Sequence, residues 1–219
     1  MLLDILTRVA PETVERFAYA WHGPPKGAAL ADDVRPDVPE PLSRFYDVAI
    51  RWPNLVVQNS LVRPPEGEGD RVVFYVENQG LCSWTTSRSG EDDAPVWAEV
   101  TEGDAVIEGE PLSRFLITVA ILEAVFGSPE GASAAWLQRD RLGSGFGPLR
   151  RLPFAPWRGF PDDATFYASH DLLAVSCVNA TPESDEYVSV WVGARDRAAL
   201  SALDSIMDES WEYDSRREG

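Results

Sequence analysis

The chain has 219 residues, enough for one sizeable core, and its 44% apolar and 11% aromatic content excludes a disordered polymer. A formal net charge of −17 argues against contact with nucleic acid or an anionic membrane, because phosphates demand Lys and Arg; it suits a basic partner. Cys82 and Cys177, the only cysteines, sit in apolar strand-like runs, which predicts buried free thiols and a reducing cytoplasm. No basic and apolar leader opens the chain.

Residues 1–9 predict a short helix. Pro11 and Glu12 then suit a helix start, and Val14, Phe17, Ala18 and Trp21 repeat at one-face helical spacing until Gly23-Pro24-Pro25. A helix from Pro41 carries Leu42, Phe45, Ala49 and Trp52 on one face, and Pro53 ends it. Residues 55–57 and 60–62 read as extended, and 64–70 as an acidic turn. Two β-rich runs, 72–76 and 81–86, flank Glu77-Asn78-Gln79-Gly80, the pattern of a hairpin or a bulged strand. With Pro95-Val96-Trp97 and 105–107, they predict an antiparallel meander.

The six residues Glu40–Phe45 recur at Glu110–Phe115, two uses of one helix start in which Pro supplies the helical φ. The second opens a helix with apolar residues on nearly every side. Its Thr118 and Glu123, and its length, argue against a membrane span. A shorter helix is predicted at 131–142. Residues 143–160, rich in Gly, Pro and Arg, are the irregular segment and the one linker candidate. Strands at 165–167, 172–178 and 187–192 and a helix at 197–207 complete a C-terminal strand-strand-helix extension, whose strands are expected to extend or flank the first sheet. One domain is expected over 1–219, with a charged tail that Trp211 would dock.

No catalytic set is evident. His22, Cys82, His170 and Cys177 lack paired metal-ligand spacing. Cys82 and Trp84 alternate onto one face, which makes Cys82 an inert core thiol if that face is buried. His170-Asp171 has the form of a base oriented by a carboxylate, or of an ordinary turn between strands. Gly143–Gly147 lacks the Lys-Ser/Thr ending of a phosphate loop. The turn carboxylates Glu66, Glu68 and Asp70, and Glu91, Asp92 and Asp93, are partner-binding candidates on a solvated acidic rim.

The run Phe74-Tyr75-Val76-Glu77-Asn78-Gln79-Gly80, then Trp84 and Ala94-Pro95-Val96-Trp97, resembles the SUKH superfamily of Smi/Knr-like bacterial immunity proteins. Leu112-Ser113-Arg114-Phe115-Leu116 matches the family's helix opening, and Pro41-Leu42 with Phe45-Tyr46 is similar to its earlier helix start. Arg51-Trp52-Pro53 stands where many relatives carry a Gly pair. The resemblance implies an α+β fold, a bent antiparallel sheet with helices packed against it. It also implies a non-enzymatic protein that binds and neutralises a cognate toxin domain, without cofactor or metal. A regulatory adaptor, and a small hydrolase using His170 and Asp171, are the alternatives. Glu77, Asn78, Gln79, Gly80, Trp84 and Trp97 are expected to hold the structural motif, with the polar side chains bonding backbone at a bend.

Overall fold

The computed structural model describes residues 2–28, 37–66, 69–88, 93–101, 103–142, 145–178, 186–209 and 211–217. The fold is α+β. Helices α1 (Leu2–Thr7), α2 (Thr13–His22) and α3 (Glu40–Arg51) precede a five-stranded antiparallel sheet. Its strands are β1 (Ser60–Glu66), β2 (Arg71–Val76), β3 (Cys82–Ser87), β4 (Val96–Val100) and β5 (Val106–Ile107), in that spatial order. The meander follows from short turns between alternating runs. Its register shifts between Val73 and Tyr75, and this bulge lets Phe74 and Tyr75 both bury completely.

Helix α4 (Leu112–Phe126) follows. It is buried at Leu112 and at every residue from Phe115 to Val125, as expected of a helix apolar all round. It packs against α2, α3 and two strands of a second sheet, while its Phe115 ring meets Phe74 and Trp84 of the first sheet at 6.2 and 6.1 Å. The second sheet holds β6 (Glu130–Gln138), β7 (Gly145–Phe146), β8 (Leu149–Arg151), β9 (Thr165–Ala168), β10 (Leu172–Val178), β11 (Tyr187–Ala194) and β12 (Trp211–Asp214). Their order across the sheet is β12-β6-β11-β10-β9-β8-β7. Its α4-facing side carries Phe166, Leu173, Val175 and Cys177 into the core shared with the first sheet. The far side closes over a second cluster, where Leu200 of the short helix α5 (Arg197–Leu200) meets Leu137, Val190 and Trp211.

Of the two arrangements open to the C-terminal strands they take the flanking one, as a second sheet with α4 between it and the first. Three expectations change. Residues 131–142 form strand β6 and a 3-10 turn, not a helix. Ala-rich sequence favours a helix locally, but β6 pairs with both β11 and β12, and pairing overrides propensity. The 143–160 segment is irregular beyond β8, yet it is no linker. Leu152, Phe154 and Trp157 are buried in the shared core, and the Trp157 ring stacks on Phe115 at 4.8 Å. The last helix stops at Leu200 and continues as a 3-10 turn to Leu203, and Trp211 docks the tail as a strand.

Candidate partner-binding surface

The Glu77–Gly80 turn joins β2 to β3. Gly80 adopts φ 74°, and its N–H donates to the Glu77 carbonyl at 2.9 Å. Glu77 is buried, and its carboxylate accepts from the N–H groups of Gln79 (2.9 Å) and Leu81 (3.2 Å). Asn78 donates its N–H to the Asn59 side chain at 3.1 Å, and the Asn78 and Gln79 side chains are exposed. The Trp84 ring is buried against Tyr75 and Trp157, at 5.1 and 5.2 Å. Trp97 lies half-buried on the opposite face of the sheet, beneath the Arg71 guanidinium at 3.9 Å.

Three further carboxylates fix loops to the core. Glu123, fully buried on α4, accepts at one oxygen from the N–H groups of Val57 and Gln58, each at 2.6 Å. Its other oxygen accepts from the Asn59 N–H, the Asn59 amide and the Tyr75 hydroxyl, at 3.1, 2.9 and 2.5 Å. Burial, and then the Glu123 charge, push the Tyr75 phenol well above its ordinary range, so it stays a donor. Glu108 accepts from the Trp84 indole N–H (3.0 Å) and from the N–H groups of Arg158 (2.6 Å) and Gly159 (3.1 Å). Burial raises its carboxyl pKa, while these donors pull the other way. Glu110 accepts the Ala155 N–H at 2.6 Å and Arg114 Nε at 2.5 Å.

Among the acidic candidates, Asp70 and Asp93 share one end of the first sheet, where the Arg88 N–H donates to the Asp70 carbonyl at 2.7 Å. Glu68, Glu91 and Asp92 lie outside the described residues, as does the side chain of Glu66, the last residue of β1. Asp93 also binds the start of α4. Its carboxylate accepts the Ser113 N–H at 2.8 Å and the Ser113 hydroxyl at 2.9 Å.

Asp93 thereby borders a groove of about 850 Å³ between α2, α3 and the first turns of α4. Val9, Val14 and Pro41 are half-buried in it, and buried Phe45, Leu116 and Ile117 lie behind them. Glu12, Glu15, Glu40, Asp47 and Asp93 rim it. The two cations that line it are held within the rim: Arg44 pairs with Glu40, and Arg51 with Glu15 at 2.6 Å and Asp47 at 2.9 Å. Sequence reasoning missed every rim residue except Asp93. The available signal was the repeated EPLSRF start, since both copies frame the groove and each holds the same Glu-Arg pair one helical turn apart.

Of the residues weighed for catalysis, the structure brings His170 and Asp171 together. The His170 imidazole meets the Asp171 carboxylate at 2.7 Å, but its side chain is 70% exposed and borders neither this groove nor the smaller hollow of about 330 Å³ beside β1. Asp171 also faces Arg195 at 3.7 Å, and Arg195 donates to the Ala20 carbonyl at the end of α2. Cys82 and Cys177 are buried free thiols, and burial pushes each up to about 12. Among the described residues, no cluster of His, Cys, Asp and Glu is placed to hold a metal, and no helix is long and apolar enough to cross a membrane. No protein-family model, no curated protein and no solved structure matches this chain.

Proposed function

We propose that this chain is a non-enzymatic protein-binding module that serves as an immunity protein in the cytoplasm, binding and neutralising a cognate toxin domain of basic character. The observation that carries the reading is the acid-rimmed groove, set in a chain of net charge −17. Such a surface raises the encounter rate with a cationic partner and gives apolar anchors a place to desolvate. The SUKH-like residues support it from the same region. Pro41, Phe45, Ser113 and Leu116 border the groove, and the Glu77–Gly80 turn and Trp84 belong to the sheet packed on α4. The regulatory adaptor reading would use the same surface with a different partner.

The test is co-expression with the toxic domain of the neighbouring secreted protein, followed by capture on the tagged chain. Protection of the cells is expected, with an association rate that falls steeply as salt rises. Failure to protect against any adjacent toxin overturns the immunity role and leaves the adaptor.

A further inference from the structure

We infer that the groove takes one basic amphipathic segment of the partner, its apolar side chains seated between α2 and α3 and its Arg or Lys side chains on the carboxylate rim. This rests on the binding-module reading and names the chemistry of its ligand. Three observations converge on it. The groove is large enough for several side chains, with a volume of about 850 Å³. Its wall is apolar at Val9, Val14 and Pro41, each half-buried, so an occupant removes further apolar surface from water. Its rim carries a surplus of two carboxylates, five acids against three guanidinium groups: Arg16 pairs with Glu12 at 3.9 Å, Arg44 with Glu40, and Arg51 with both Glu15 and Asp47.

The arrangement of the pairs sharpens the match. Arg51 is shared between Glu15 and Asp47, so one cation neutralises two carboxylates incompletely. Glu12 and Glu40 stand on opposite sides with side chains 54% and 52% exposed, in reach of incoming cations. An acidic segment would add repulsion, and a purely apolar one would leave the net negative charge of the rim uncompensated. A segment with cations flanking an apolar stripe meets both demands, the pattern of a helix laid in a groove.

The experiment uses the full chain and three short synthetic peptides. One is an amphipathic Leu-Lys helix, one its Leu-Glu counterpart, and one a Lys-Ser peptide of the same charge without the apolar stripe. Calorimetric titration should detect the Leu-Lys peptide, with the other two at least about tenfold weaker. Val14→Arg blocks the apolar wall, and the double variant Glu12→Gln with Glu40→Gln discharges the exposed rim. Each should weaken Leu-Lys binding by about tenfold or more while the circular dichroism spectrum and melting midpoint stay put. The inference is overturned if the Leu-Glu peptide binds as well, if both variants bind like the parent, or if the chain dimerises through this groove and Val14→Arg makes it monomeric. Capture of a toxin domain equally well by the parent and both variants also overturns it, while leaving the binding-module reading in place. Loss of capture by the parent would strike that reading and is read separately from the peptide titration.

Discussion

Glu123 lies in the last turn of the most apolar helix, and five donors from residues 57–59 and Tyr75 converge on its carboxylate. In the sequence it was legible only as a residue that spoils a membrane span, because partners separated by 48 to 66 positions leave no local trace. Glu123→Gln would turn an amide toward the Val57 and Gln58 N–H groups and strand them. A loss of about 3 kcal/mol in urea unfolding is expected. His22 gives a second prediction at this scale. Burial, with Arg195 and Lys26 nearby, lowers its pKa from 6.5 to about 4, and the Asn54 amide reaches its Nδ1 at 3.0 Å. Above pH 6.5 the imidazole is neutral in both states. As pH falls from there toward 4, the unfolded chain takes up a proton that the folded chain refuses, so stability is lost, by at most roughly 3 kcal/mol. Unfolding midpoints measured across that window should drop for the parent and drop less for His22→Phe.

Periodicity sufficed where an element buries one face against its neighbours. Helices α2 and α3 and strands β2 and β3 stand close to where alternation or 3.6-residue spacing puts them, while β10, buried on both faces, was legible as a continuous apolar run. It failed at β6, whose Ala-rich run carries no β signature and is a strand only because β11 and β12 flank it. It failed again at residues 152–160, where Gly, Pro and Arg suggest a linker although Leu152, Phe154 and Trp157 are buried. Gly159 shows why that composition is needed. A Cβ there would lie 2.4 Å from the Ala98 Cβ and 3.0 Å from the Glu108 carboxylate. Gly159→Ala should therefore displace the loop and lower the melting midpoint, and Trp157→Ala should cost about 4 kcal/mol through the cavity it leaves. At the head of α4, Asp93→Ala removes the acceptor for Ser113 and should cost about 1 kcal/mol in the same assay.

For the molecule as a whole, two antiparallel sheets share α4, and one core runs from α1 through the first sheet to β9 and β10. Periodicity and alternation made the helices and the first meander readable, and the resemblance implied the α+β class; the second sheet was not legible, because its order brings β12 beside β6 across most of the C-terminal half. The groove was equally hidden, since its walls come from three helices whose sequence signals concern burial and not surface shape. Because α4 serves both sheets, the two should unfold together. Tryptophan fluorescence and far-ultraviolet dichroism are expected to trace a single coincident transition in denaturant. Resolved transitions would show the far-side cluster around Trp211 melting first.

The contact between Trp84 and Trp157 gives this molecule an optical signature of its own. The two indoles lie 5.2 Å apart with their planes inclined at 60°. Chromophores that close and that far from parallel couple their transition dipoles, so the native chain should display a bisignate exciton band that neither ring produces alone. Trp84 belongs to the first sheet and Trp157 to the connection between β8 and β9 of the second. The amplitude of that band is therefore a direct optical gauge of whether the two halves of the chain are joined.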